Sequence, residues 1–246
     1  ELDGAAAVIN LAGEPIADHR WTAAQKRRIE DSRVTATRRL VEAIASVPNP
    51  PAVFVSGSGA GFYGPCGSEI VTEDTGAGHD FLAGVCRRWE AQAVAASSSA
   101  TRVVCVRTGL VLARDGGALP RMLLPFRLGI GGRIGNGRQY WPWIHRHDWI
   151  DLVRFVLKTP DAVGAFNLTA PSPVTNAEFV RELGRALGRP TLIPVPPIAL
   201  RILLGRELAD SVLLSGQRAM PARATQLGFR FTYPTLSLAL DDVLHR

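Results

Sequence analysis

Lysine is almost absent from this chain. Only Lys26 and Lys158 occur, so 26 of the 28 basic residues are arginine. That bias fits a GC-rich genome, and it also fits an anion-binding protein, because the guanidinium fork grips phosphates and carboxylates. The longest basic run is Lys26-Arg27-Arg28, and the rest of the +6 net charge is spread along the sequence. That spread excludes a dedicated nucleic-acid face. Cysteine is scarce as well. Cys66, Cys86 and Cys105 are odd in number and widely spaced, with no C-x-x-C. A disulfide framework is excluded, and a reducing, cytoplasmic compartment is expected. No apolar run reaches the length of a membrane span, so no membrane partner is expected. An initiator methionine is also lacking: the chain opens on Glu1, and residues 5–11 already read as a buried strand.

What is present is ordinary globular composition, 46% hydrophobic and 20% charged, which excludes long disorder. Apolar residues at Ile29, Val34, Leu40, Val41 and Ile44 predict a helix over 22–45, ended by Pro48 and Pro50. Ala52-Val53-Phe54-Val55 predicts a second strand, residues 81–96 a helix, and residues 102–112 a third strand. Near-continuous apolar strands alternating with helices indicate βαβ units around a parallel sheet. Beyond Leu119 the pattern changes to a Gly-rich loop over 129–137 and an aromatic stretch over 140–149. Helices at 151–157, 176–187 and 198–204, a strand at 164–168 and a terminal helix from Leu236 complete the chain.

Two motifs suggest chemistry. Residues 59–64 match G-x-G-x-x-G after a strand, but Pro65-Cys66-Gly67-Ser68 follows and no helix opens to hold a pyrophosphate. His145 and His147 share a spacing that suits a metal, yet no third ligand is apparent, so no metal site is expected. The 129–137 loop reads equally as a flexible connection or as a substrate-lining segment.

Val8-Ile9-Asn10-Leu11-Ala12-Gly13 resembles the fourth-strand signature of the short-chain dehydrogenase/reductases. Phe54-Val55-Ser56-Gly57-Ser58 with Phe62-Tyr63-Gly64 resembles the fifth-strand serine segment of the extended members, and Arg107-Thr108-Gly109 the end of the sixth strand. Trp143-Ile144-His145 with Asp148, and Ala165-Phe166-Asn167-Leu168 before Thr175-Asn176, resemble later family segments. Further strings narrow this: Glu14-Pro15-Ile16, Arg20-Trp21, Ser32-Arg33, Trp89-Glu90, the stretch 124–129 and Gly216-Gln217-Arg218. Together they are similar to the atypical "epimerase family protein" group, over essentially the whole chain.

The resemblance implies an α/β fold: a Rossmann-type doubly wound parallel sheet, N-terminally truncated, with a small C-terminal α+β substrate domain. The expected division is 1–168 for NAD(P) binding, with 114–145 able to contribute to the substrate domain, and 169–246 for the cap. It implies NADP(H) as cofactor and a small-molecule, nucleotide-linked substrate, in a monomer or homodimer. It also implies that roughly fifty residues, including the pyrophosphate loop, belong before Val8, and that a chain without them exposes a sheet edge and binds cofactor poorly.

One family feature is missing. Extended members use a Tyr-x-x-x-Lys pair to move a proton to or from the substrate oxygen. Here Tyr63, Tyr140 and Tyr233 are followed four residues on by Gly67, Ile144 and Ser237, so the pair does not exist. Spacing back from Glu90 puts Cys86 where the Lys would be and Leu82 where the Tyr would be. Ser58, Tyr63 and Cys86 are the candidate catalytic groups. Asn10, Leu11, Ala12, Gly13, Arg28, Arg33 and Arg107 are the candidate cofactor contacts. Two functions are expected to compete: an NADP(H)-dependent oxidoreductase or sugar-nucleotide epimerase-like enzyme, and a non-catalytic NADP(H)-binding sensor or interaction protein.

Overall fold

The apolar runs become strands buried on both faces. The computed structural model describes residues 2–245. Its first half comprises β1 (Ala7–Asn10), α1 (Ala23–Ser46), β2 (Val53–Gly59), β3 (Ile70–Val71), α2 (Phe81–Val94) and β4 (Arg102–Thr108). It continues through β5 (Leu110–Leu112), α3 (Leu119–Arg127), β6 (Tyr140–Trp141), β7 (Trp143–His145), α4 (Arg146–Lys158), β8 (Gly164–Leu168) and β9 (Val174–Thr175). The last part holds α5 (Asn176–Leu187), α6 (Pro197–Leu204), α7 (Arg206–Leu208), β10 (Arg218–Ala219), α8 (Ala222–Gln226) and α9 (Leu236–His245).

The helices start and stop where side chains satisfy their free backbone groups. Thr22 caps α1 by accepting from the Gln25 amide, and Asp80 caps α2 by accepting from the Ala83 amide. Thr175 and Glu178 form a reciprocal capping box on α5, which Gly188 ends in the left-handed conformation, φ 61°.

The main sheet has the order β1-β2-β4-β8, with every pair parallel. Phe54, Val103 and Cys105 pack on one face against Ile44 of α1 and Ala93 of α2. Val53, Val55, Val104, Val106 and Phe166 pack on the other against Leu152 and Val156 of α4. Helices therefore cover both faces, the doubly wound Rossmann-type arrangement. β1 lies at one edge of the described sheet, and its Ile9 is 46% exposed. A separate core joins α3, β6, α5 and α9 through Leu123, Trp141, Phe179, Leu183 and Leu240.

Two elements differ from the sequence reading. The strand expected over 102–112 breaks at Gly109: the Gly109 amide still donates to Leu168 of β8, but the next amide, Leu110, turns to the Pro142 carbonyl at 2.7 Å, an approach so close that a Cβ at 109 would meet that oxygen. β5 then leaves the sheet and pairs with β7. The helix expected at 151–157 begins earlier, at Arg146, because the His145 ring accepts from the His147 amide and acts as its cap. Residues 59–64 form no α-helical start: Ala60–Tyr63 is a 3-10 turn closed by Gly64 at φ 64°. Among the described residues no helix is long and apolar enough to cross a membrane.

Candidate functional site

Because the four strands run the same way, their C-terminal ends share one edge of the sheet, where open α/β folds bind ligands. β1 ends there in Asn10 and leads into Leu11, Ala12 and Gly13, all exposed. β2 ends in Gly57, Ser58 and Gly59, and β4 in Arg107 and Thr108. A cleft of about 450 Å³ opens between them, with Leu11, Gly57, Ser58, Trp89, Thr108 and Trp149 in its wall.

The cleft wall is keyed into the scaffold. A Cβ at Gly57 would lie 2.7 Å from the Trp89 ring, so only glycine admits the indole. Trp89 Nε1 donates to Thr37 Oγ1 at 2.9 Å, and the same oxygen accepts from Asn10 Nδ2 at 2.9 Å. A single buried hydroxyl thus ties α1, the end of β1 and α2 together.

Beneath Ser58 lies a buried ionic network. Arg107 donates through Nε and Nη2 to the two oxygens of Glu90, each at 2.9 Å, a bidentate pair. Ser58 Oγ donates to Glu90 Oε1 at 2.6 Å. Arg107 Nη1 donates to the Tyr63 hydroxyl at 3.0 Å, which donates onward to Asn167 Oδ1 at 2.7 Å. The guanidinium also stacks over Phe62, 3.5 Å from the ring centroid. Burial opposes the charge on Arg107, but the hydrogen bonds and charge of Glu90 outweigh it and hold its pKa above the ordinary value. Burial pushes the Tyr63 phenol up to about 12, against the smaller opposing pull of Arg107 and Asn167. At neutral pH Tyr63 is a fixed hydrogen-bond donor and not a base.

The structure brings some candidates together and separates others. Leu11 and Ser58 line the cleft. Ala12 and Gly13 follow Leu11 in the exposed turn, and the buried Asn10 side chain donates to Thr37 and accepts from the Ala12 amide, holding that turn in place. Arg107 is only 5% exposed and spends its nitrogens on Glu90, Tyr63 and the Glu73 carbonyl, so it is a structural partner and not a free cation for cofactor. Arg33 folds back onto the loop after β1. Nη1 donates to the carbonyls of Glu14 and Ile29, and the guanidinium lies 5.3 Å from the Trp89 ring centre. The guanidinium lies close over Gly13, where a Cβ would come within 2.8 Å of its central carbon. Arg28 is exposed on α1 and joins none of these hydrogen bonds. Cys86 is buried in α2, and burial pushes its thiol up to about 11, so it carries no thiolate at neutral pH. All three cysteines are free thiols.

Glu90, Asn167 and Thr37 were not singled out from sequence as site residues. The signal for Glu90 is its spacing: it shares the buried face of α2 with Ala83, Cys86 and Ala93, where a lone carboxylate demands a partner. His145 and Asp148 serve the junction with the last segment. Asp148 accepts from the amides of Thr232 and Tyr233, while the His145 ring stacks on Tyr233 and reaches Asp242 at 3.3 Å.

Known proteins share this fold. A family model for the NAD dependent epimerase/dehydratase family matches residues 1–169, and a domain of unknown function, DUF1731, matches residues 195–243. Epimerase family protein SDR39U1 of Bos taurus is 44% identical over 242 residues, spanning 97% of this chain and 82% of the bovine one. The crystal structure of human SDR39U1 (isoform 2) with NADPH superposes with a TM-score of 0.94 at 38% identity, covering 100% of this chain and 83% of the human one. A nucleoside-diphosphate sugar epimerase from Corynebacterium glutamicum superposes at 0.79 with 33% identity, covering 99% of this chain and 47% of that one. The match over most of the parallel sheet and the likeness along the whole chain place it: the chain belongs to the NAD dependent epimerase/dehydratase family.

Proposed function

We propose that this protein binds NADP(H) in the cleft at the ends of β1, β2 and β4, and that any chemistry there proceeds without a Tyr-x-x-x-Lys pair. The cleft suits the nicotinamide end of such a cofactor: it is largely apolar, about 450 Å³ in volume, and walled by two indoles. The exposed turn Leu11, Ala12 and Gly13 would hold the cofactor from one side and Ser58 and Thr108 from the other. Bound NADPH would supply a hydride. Among the described residues no Gly-rich loop runs from a strand directly into an α-helix, so the pyrophosphate contact is not assigned to any of them.

The observation that carries this reading is the apolar cleft at the C-terminal ends of β1, β2 and β4, whose floor the Ser58–Glu90–Arg107–Tyr63 network holds in place. It supports a divergent oxidoreductase or epimerase-like enzyme acting on a small, nucleotide-linked substrate. A second reading, a non-catalytic NADP(H) sensor or interaction protein, is favoured by one specific feature. The candidate hydroxyls Ser58 and Tyr63 both donate inward, in a chain whose family resemblance puts Leu82 and Cys86 where the Tyr and Lys would be.

A titration with NADPH and NADH followed by sugar-nucleotide turnover assays separates the readings. Saturable NADPH binding with turnover supports the enzyme, binding without turnover supports the sensor, and no binding contradicts both.

A further inference from the structure

α6 is an apolar helix with no buried residue. Its residues Ile198, Ala199, Ile202 and Leu203 share one face at 3.6-residue spacing. The three large ones are 61%, 67% and 69% exposed, whereas Leu200 and Leu204 on the opposite face are half-buried. This face continues into its neighbours. Ile134 forms a parallel bridge with Val195 just before α6, and Gly132 lies beneath the Ile193 carbonyl. The loop after β1 links α6 to α3, because Arg20 binds the carbonyls of Ile202 and Leu203 while Asp18 binds Arg121. α3 and Ile193 add Leu124, Leu128 and Ile193, all more than half exposed.

The charge left unpaired around this face is positive, since Asp18, Glu207 and Asp210 each sit in an ion pair. Residues 116–140 and 189–206 contain seven arginines and no aspartate or glutamate. Arg121 and Arg201 pair with Asp18 and Asp210, and Arg206 lies 3.7 Å from Asp210. Arg127, Arg133, Arg138 and Arg189 are exposed and join no ion pair among the described residues.

We propose that this face docks onto an anionic membrane surface. Isoleucines and leucines at the centre with guanidinium groups around them match a bilayer interface, where apolar side chains enter the acyl boundary and arginines meet phosphates. A second copy of the chain is a poorer occupant. A two-fold contact would bring the same patch against itself, unpaired arginines facing one another, while the neighbouring carboxylates Asp18, Glu207 and Asp210 are already held in ion pairs. The lack of a membrane-spanning run does not bear on this, since such a helix lies in the interface and does not cross it.

The test is co-sedimentation of the full chain with vesicles of phosphatidylcholine alone and of phosphatidylcholine mixed with phosphatidylglycerol, at low and high salt. The protein is expected to sediment with the anionic vesicles only, and less at high salt. Arg127→Gln and Arg133→Gln should each weaken binding roughly fivefold, and Ile202→Asp by at least about tenfold. Circular dichroism and sedimentation velocity accompany each variant, and the exposed positions should leave both unchanged. Equal failure to bind either vesicle overturns the proposal, and so does anionic binding indifferent to Ile202→Asp. Concentration-dependent dimers broken by Ile202→Asp, without vesicle binding, overturn it in favour of a second copy.

Discussion

Arg107 meets Glu90 through two parallel hydrogen bonds of 2.9 Å, joining the end of β4 to α2 beneath the cleft. Both residues are at least nine-tenths buried. Desolvating two charges is expensive, and the pair persists because every nitrogen of the guanidinium has a partner. Its role is to fix the cleft floor on which Ser58 and Tyr63 rest.

Breaking the pair from one side strands a buried charge. Glu90→Ala is expected to destabilise the fold by about 3–5 kcal/mol, and Glu90→Leu with Arg107→Met to recover much of that loss. Urea unfolding of the single and double variants measures both.

Tyr63 gives a pH signature. Its phenol rises from 10.0 in the unfolded chain to about 12 in the fold, so the native state favours the protonated form. That stability is fully present below pH 10 and is lost as pH climbs through about 12. Unfolding free energy should fall over that window in the native sequence and fall less in Tyr63→Phe. The variant itself should cost about 1–3 kcal/mol, because Arg107 and Asn167 each lose a buried partner.

The thiols should separate by burial. Cys86 and Cys105 are 7% and 1% exposed, and burial pushes them up to about 11 and 12, whereas Cys66 is half-buried. A disulfide reagent at neutral pH is expected to label Cys66 first and the other two only on unfolding. Rapid labelling of Cys86 in the native protein would restore it as a candidate nucleophile.

Gly57 tests the cleft wall. Gly57→Ala drives a Cβ into the Trp89 ring, which must then leave Thr37. The expected result is a loss of about 1–3 kcal/mol with a shifted tryptophan emission. Gly13→Ala meets only the far end of Arg33 and should cost less.

Much of the fold was legible in the sequence because strands buried on both faces read as continuous apolar runs, and Val53-Phe54-Val55 and Val103-Val104-Cys105-Val106 are such runs. The break at Gly109 was not legible, since it depends on a carbonyl 33 positions further on, that of Pro142. Nor was the early start of α4, because His145 is not a usual helix cap. In the site, Asn10, Ser58 and Tyr63 could be named from motifs at strand ends. Their partners could not, because Glu90, Asn167 and Thr37 reach them across 27 to 104 residues. Arg107 and Arg33 were visible as arginines near the cleft, but single-sequence spacing does not tell a ligand-facing guanidinium from one committed to a carboxylate or to backbone carbonyls.

The most direct test of the account is NADPH binding read through the cleft's own indoles. Trp89 and Trp149 stand in its wall, so bound NADPH should quench tryptophan emission by energy transfer. Cofactor seated in this cleft should give saturable quenching by NADPH that is lost when Thr108→Trp fills the cleft, with the fold confirmed by circular dichroism. Quenching that never saturates, or that survives Thr108→Trp unchanged, would contradict it.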